Sequence, residues 1–401
     1  MILLKGGLIY KDDSFVTSDI LIDGENIIDI SPVILVGEDC EVVDCNNKWV
    51  RQGAVDVHVH LREPGFCHKE TIYTGTMSAA KGGVTTVFAM PNLNPVPDSK
   101  ENLNIELDII EKTAVIKVLP YLSLTKGQEG KELSQMCVNT TDAIGYSDDG
   151  KGVNDLILLE KAMERAKKED AIICSHAEAT EISDVRAQEY AAVRRETALA
   201  QHTKCKYHFC HLSTTESFDI VRKAKAWGAD ISCEITPHHL TLCSDDIVDT
   251  SYKMNPPLRS KSDMHSTIEA IKDGTATIIA TDHAPHAEEE KAVDYAHAPN
   301  GIIGLETFLP VVYTALVKTN IISPKEMIEL TTTNAQARFG LPISSLCVGE
   351  RADICVLDIN NKRKYTKEEI LSKSSNSPFI GKEFYGFNTL TLFKGKIVYR
   401  A

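Results

Sequence analysis

Short apolar runs recur along the chain at intervals that suit strands alternating with helices. Residues 54–60 (AVDVHVH), 84–90 (VTTVFAM), 115–122 (VIKVLPYL), 143–147 (AIGYS), 171–175 (AIICS), 206–210 (KYHFC), 230–236 (DISCEIT) and 276–281 (ATIIAT) each read as a strand. Near-continuous apolar runs of this kind mark strands buried on both faces. Helical spacing separates most of them: Leu158, Leu159, Ala162, Met163 and Ala166 fall on one face of a helix over 154–170. The threonines that open TTESFDIVRKAKAWGA suit an N-cap, and its glycine suits the helix end. Eight β/α units over about 290 residues predict an α/β fold, a (β/α)8 TIM-like barrel whose active site lies at the C-terminal ends of the strands. A doubly wound open sheet is the competing architecture, and no G-x-G-x-x-G turn supports it.

The two ends of the chain have a different texture. LLKGGLIY, SDILIDGENIIDIS and CEVVDC at the start, and ADICVLDINN and TLTLFKGKIVYRA at the end, alternate β-branched residues with Gly, Asn and Asp turns. They predict a small β-sandwich domain built from both termini, residues 1–51 plus 345–401, around a catalytic barrel of residues 52–344. The stretch 283–301 (HAPHAEEEKAVDYAHAPNG) has no clear period and is a candidate lid at the barrel mouth.

Composition narrows the function. The 401 residues are 43% hydrophobic and 25% charged, enough apolar material for one large core or two. The N-terminus, MILLKGGLIYKDDSF, reaches Lys5 and a glycine pair too early for a signal peptide, and no apolar run approaches the eighteen or so residues of a membrane span, so a cytoplasmic protein is expected. Eleven scattered cysteines without a C-x-x-C pair suggest reduced thiols, not a disulfide framework or a thiolate zinc site. A net charge of -14 argues against nucleic acid or an anionic membrane as partner. An anionic substrate would therefore need a few placed cations.

The residues that close the predicted strands carry the chemistry. In order they are His58 and His60, Asn92, Asp149, His176, His211, and Asp282 with His286. Residues i and i+2 of a strand share a face, so His58 and His60 can point inward together, with Arg62 just beyond. Four histidines and two aspartates suit one or two Zn²⁺ ions. Taken singly, Asp149 in SDDGKG and Asn92 in MPNLNP could be turn residues, Asp282 an N-cap and Arg62 half of a surface ion pair. His68, His202, His208, His238, His265 and His297 read as hydrogen-bonded loop residues. Six metal-competent residues at five strand ends together favour a metal site.

The chain resembles the bacterial type I dihydroorotases of the amidohydrolase superfamily in motifs that run in the family's order over nearly its whole length. They include DVHVHLREPG, GGVTTVFAMPN, YSDDGKGV, CSHAE, FCHLST, EITPHHL, KMNPPLR, IATDHAPH, GIIGLET, GERADICVLD and NSPFIGKEFYG. The resemblance implies a cyclic amidohydrolase of pyrimidine synthesis, interconverting N-carbamoyl-L-aspartate and L-dihydroorotate. It implies two Zn²⁺ per subunit, joined by Asp149 and a water or hydroxide, with Asp148 as the neighbouring alternative. His58, His60, His176, His211 and Asp282 would complete the ligands, and Asp282 would be the catalytic acid and base. Arg62, Asn92 and His286 would hold the substrate carboxylate, with Asn255 a further contact and backbone groups at Asn300 and Gly301 facing the ring. A homodimer is implied, and a complex with aspartate transcarbamoylase is a further possibility the family raises. A hydantoinase, dihydropyrimidinase or allantoinase, or a non-catalytic homologue inside such a complex, are the alternatives. Those related enzymes usually bridge their metals with a carbamylated lysine and generally lack the arginine of HLREPG, so Asp149 and Arg62 count against them.

Overall fold

The computed structural model describes residues 1–135 and 142–401. Eight parallel strands form one sheet, numbered here β1 (Ala54–Val59), β2 (Val84–Ala89), β3 (Lys117–Ser123), β4 (Gly145–Ser147), β5 (Ile172–Ser175), β6 (Lys206–Phe209), β7 (Ile231–Ile235) and β8 (Ile278–Ile279). Every residue of β1, β2 and β7 is buried, as apolar runs covered on both faces require. The strands are hydrogen-bonded in chain order, and the first and last ends meet: His60 N–H donates to His283 O at 2.8 Å, and Val59 pairs in parallel with His283. That closure excludes the open doubly wound sheet.

All eight strands lie where the sequence places them. β8 is the shortest because Thr281, expected to continue it, turns its N–H and Oγ1 to the buried Asp56 carboxylate of β1, at 3.1 and 2.5 Å. Val55, Val57, Phe88, Tyr121, Ile172, Cys174 and Ile278 form an interior cluster. Phe339, at the end of helix Asn334–Arg338, meets Phe88 and Tyr121 edge-on and completes it.

Helices cover the outside. Leu156–Lys168 buries Leu159, Ala162, Met163 and Ala166 of the face its spacing predicts and leaves Leu158 half-buried, and Asp155 caps it by accepting from Ile157 N and Leu158 N. The helix Thr215–Ala226 does begin after Thr214, but that hydroxyl does not cap it. It donates instead to Glu189 Oε1 at 2.8 Å on the neighbouring helix Val185–Thr203.

Both termini enter a second eight-stranded sheet. Ile2–Lys11, Ser14–Asp23 and Asn26–Ser31 form a meander at one side, and Ile354–Asp358, Phe387–Phe393 and Lys396–Arg400 one at the other. Trp49–Gln52 joins them, pairing with the first and last thirds of the chain. Leu4, Ile20, Ile22, Val50, Ile354, Val356 and Leu390 pack into its core. Arg51 crosses from this sheet to the barrel: fully buried, it donates to Thr331 Oγ1 at 2.9 Å and Thr332 Oγ1 at 2.8 Å. Among the described residues no helix is long and apolar enough to cross a membrane, and the ten described cysteines are free thiols.

Candidate metal-dependent active site

The strand ends bring four histidines and two aspartates to one mouth. His58, on β1, points Nε2 at Asp149 Oδ2 (3.3 Å) and Asp282 Oδ1 (3.4 Å). His60 Nε2 stands 3.3 and 3.2 Å from the same two atoms. On the other side, Asp149 Oδ1 lies 3.6 Å from His176 Nδ1 and 3.3 Å from His211 Nε2. One oxygen of Asp149 therefore faces each histidine pair. Asp148, its neighbour in SDDG, is directed away: Oδ1 accepts from Ser123 Oγ, Leu124 N and Thr125 N, and Oδ2 from Thr125 Oγ1.

Electrostatics follow from this crowding. Burial alone would keep His58 neutral, but Asp149, Glu234 and Asp282 raise its pKa well above the ordinary value. Burial likewise opposes charge on Asp149, yet His58, His176 and His211 hold its carboxyl well below the usual range. His176 is pushed up to about 10, with burial outweighed by Asp149 and Glu178. A field that favours protons between these side chains also favours a cation there. The residues fit a metal: His58, His60 and Asp149 form one compact ligand group and Asp149, His176 and His211 a second, with the ligand atoms of each within 4.8 Å of one another. His58 Nε2 is buried without a hydrogen-bond partner, an arrangement that is costly unless a ligand completes it.

Several imidazoles are oriented from behind. His58 Nδ1 is 2.7 Å from Glu234 Oε1, and His60 Nδ1 is 2.8 Å from Asn92 Oδ1. Each contact fixes the tautomer that leaves Nε2 facing the mouth. Glu234 is fully buried on β7; its other oxygen meets His208 Nε2 at 3.0 Å, and His208 Nδ1 meets Ser232 Oγ at 2.7 Å. Burial raises the Glu234 carboxyl, but His58 and His208 overcome it and bring its pKa down to about 2. Sequence reasoning passed over Glu234, although an acid inside the buried run DISCEIT was a visible signal. It also gave His208 only the part of a hydrogen-bonded loop residue although it falls in the predicted strand 206–210; it lies on β6, and a buried strand histidine paired with a carboxylate looks like a polar strand end when read locally. His238 is likewise buried, in the short helix Pro237–Thr241.

A cavity of about 300 Å³ opens beside the histidines, lined by His60, Arg62, Asn92, Asp149, His176, Asn255, Asp282, His286, Asn300 and Gly301 among others. Arg62 is buried; its Nε donates to Pro285 O at 3.2 Å, and its Nη2 is 3.4 Å from His286 Nε2. Burial lowers its pKa to about 10. His286 is held neutral, near 3, by burial and by Arg62 and Lys69; its Nε2 donates to Asn300 O at 2.7 Å. Asn255 Nδ2 stands 3.1 Å from His176 Nε2 and 3.3 Å from Glu178 Oε1, so it supports a histidine as well as lining the cavity. Gly301 has φ +136°, and a Cβ there would lie 2.7 Å from Ala284 O and 3.0 Å from His286 Nε2. Asn376, not foreseen, donates to Gly301 O at 2.9 Å and accepts from His286 N at 3.2 Å. Three residues at the mouth, Arg62, His211 and Asp282, adopt positive φ (63°, 33° and 49°), a conformation that costs a non-glycine residue roughly 1–3 kcal/mol and is typical of functional sites.

The dihydro-orotase-like family profile matches residues 47–195. The chain is 42% identical to the dihydroorotase of Geobacillus sp. (strain WCH70), covering 100% of this chain and 99% of that one. It is 40% identical to the dihydroorotase of Fusobacterium nucleatum subsp. nucleatum, covering 99% and 98%.

The chain belongs to the dihydroorotase family.

Family membership makes it an enzyme, a metal-dependent hydrolase of cyclic amides. Similar solved structures include a dihydropyrimidinase from Brevibacillus agri NCHU1002 (TM-score 0.86, 23% identity, 99% of this chain and 95% of that chain) and an L-hydantoinase from Arthrobacter aurescens (TM-score 0.86, 23% identity, 100% and 96%). At that identity they establish the barrel with its terminal β domain and say nothing of the substrate.

Proposed function

We propose that this dihydroorotase-family chain catalyses the reversible cyclisation of N-carbamoyl-L-aspartate to L-dihydroorotate and water, in pyrimidine synthesis. The observation that carries the substrate is Arg62. Among the described residues this buried guanidinium makes no ion pair, and it borders the cavity. A buried cation without an anion is costly, and a substrate carboxylate would complete it with parallel charge-assisted bonds.

We infer two Zn²⁺ ions, one beside His58 and His60 and one beside His176 and His211, with one Asp149 oxygen available to each. Such ions supply Lewis acidity, which lowers the pKa of water and polarises an amide carbonyl. Asp282, set between His58 and His60 at the cavity wall, is placed to take a proton from the attacking water and pass it to the departing ring nitrogen. In ring closure the same carboxylate takes the ureido proton and returns it to the leaving water. Arg62 and Asn92 hold the carboxylate that does not react, with His286 beside Arg62 and tied to Asn300 O, which fixes the ring carbonyl over the histidines. The Asn92 Oδ1 already accepts from His60, so its amide NH₂ is the group free to donate to substrate.

By the same family resemblance we infer a homodimer able to associate with an aspartate transcarbamoylase, a cytoplasmic location, and a division into residues 52–344 and 1–51 plus 345–401. The separate core of the terminal sheet supports that division. Sedimentation of the pure protein tests the dimer. The activity is tested by zinc-loaded protein with L-dihydroorotate and with N-carbamoyl-L-aspartate. Conversion in both directions is expected; no conversion in either, or faster opening of 5-substituted hydantoins, would reject the assignment.

A further inference from the structure

Lys291 ends the short helix Glu288–Lys291 within the 283–301 segment, and its side chain is turned inward, away from solvent. Its ammonium donates to three backbone carbonyls: Thr250 O at 3.0 Å, Lys253 O at 3.1 Å and Pro299 O at 2.8 Å. The contact is reciprocal, since Thr250 Oγ1 donates to Lys291 O at 2.8 Å and Gly301 N to Lys253 O at 3.0 Å. Pro299, Asn300 and Gly301 line the cavity on one side of this knot, and Asn255 lies two residues beyond Lys253 on the other. A lysine ammonium has three donors, and here all three are used to join the cavity wall at Pro299 to the stretch 250–253 that leads into Asn255.

We propose that Lys291 is a positioning residue for the substrate ring, tying residues 250–253 to residues 299–301 so that the Asn300 and Gly301 backbone keeps the spacing at which it meets the ring. This rests on the cavity being the dihydroorotate site. It also changes the reading of 283–301 as a free lid: the segment is seated, with Glu290 on Lys69 at 3.1 Å and Glu288 on Lys367 at 3.2 Å.

The clasp has its own pH dependence. Burial, then the like charge of Lys253, brings the Lys291 pKa down to about 8, with Asp249 acting in the opposite sense. Of the charges on its own helix, Glu288 and Glu290 are paired as above and Glu289 is exposed. Asp294 and His297 in the next turn pair with each other at 2.8 Å. A neutral amine keeps two donors and presents a lone pair, so one of the three carbonyls then faces no donor.

The test uses the zinc-loaded enzyme and L-dihydroorotate. Lys291→Met is expected to raise KM about tenfold with kcat within about threefold, and Lys291→Arg to restore most of the loss. Wild-type KM should rise as the pH passes about 8, a rise that Lys291→Met lacks. Folded Lys291→Met with unchanged KM overturns the proposal. If that variant does not fold, the wild-type profile decides, and a flat KM through that range overturns it. An inactive wild type would instead overturn the reading of the site itself, so the two failures are distinct.

Discussion

Asp282 and Arg62 divide the work of the mouth between proton transfer and recognition, and single substitutions should separate the two. Asp282→Asn removes a proton acceptor while leaving both histidine pairs and Asp149 in place. The expected result is a fall in kcat of roughly 10²–10⁴ with metal content retained. Metal analysis beside steady-state kinetics checks it, and near-normal turnover would exclude Asp282 as the acid and base. Arg62→Met removes charge-assisted bonds made both before and during reaction. It should cost about 3 kcal/mol, roughly 100-fold in KM, with kcat much less affected. An unchanged KM would exclude the clamp. At this scale the sequence was informative wherever a ligand sits at or just beyond the end of its strand, as His58, His60, His176 and His211 do. It gave no role to Asn376, the first residue of NSPFIGKEFYG, or to Lys291, because those residues meet the cavity only after distant segments pack: Asn376 reaches Gly301 across 75 positions of chain.

The elements were legible for a physical reason. Strands covered on both faces must be apolar throughout, and the chain turns polar where each strand emerges, so the eight runs bounded themselves. The helical runs over 308–317 and 324–338 were not foreseen: each contains a π-helical turn, Tyr313–Val317 and Glu329–Thr333, which takes its residues off the α-helical period. Burial along longer helices creates its own liabilities. Glu196, on helix Val185–Thr203, is 1% exposed; its Oε2 accepts from Ser175 Oγ at 2.6 Å and Tyr207 OH at 2.9 Å. Burial raises its pKa to about 7 despite those bonds. The folded state therefore holds this proton more tightly than the unfolded chain does. The stability this group contributes is present below the unfolded carboxyl pKa of about 4.5 and is lost as pH rises through about 7. The loss amounts to roughly 3 kcal/mol. Glu196→Gln keeps an acceptor for both hydroxyls and has no proton to lose. Its Tm relative to wild type should climb between about pH 5 and about pH 8, and a constant difference would show that Glu196 does not titrate in this range.

At the scale of the molecule, the terminal sheet and the barrel share packing: Trp49, Cys355 and Leu357 belong to the same hydrophobic cluster as the barrel's outer layer. Arg51 bridges them with no carboxylate partner among the described residues and with Nη1 unpaired there. A buried charge so placed adds shape more than electrostatic stability. Arg51→Met, similar in volume, should leave stability within about 1 kcal/mol, whereas Arg51→Ala should cost about 3 kcal/mol through the cavity it leaves. Trp49 is fully buried and its ring is 5.5 Å from the guanidinium, so in a Trp227→Phe background its fluorescence reports on the junction while far-ultraviolet dichroism is dominated by the barrel's helices. Both signals should move together in Arg51→Ala. An earlier fluorescence transition would show that the sheet unfolds separately.

The left-handed backbone at Arg62, His211 and Asp282 bears on how such a sequence can drift. Each of these residues sits within three positions of its strand end, at a bend that a one-residue insertion or deletion would erase. The few positions after each strand are thus fixed in length as well as in the residues that carry the chemistry. The longer connections beyond them can lengthen, shorten or be replaced without moving a ligand. Evolution, or an engineer, can therefore exchange these outer connections as cassettes while the frame at the strand ends, Arg62 included, stays in place.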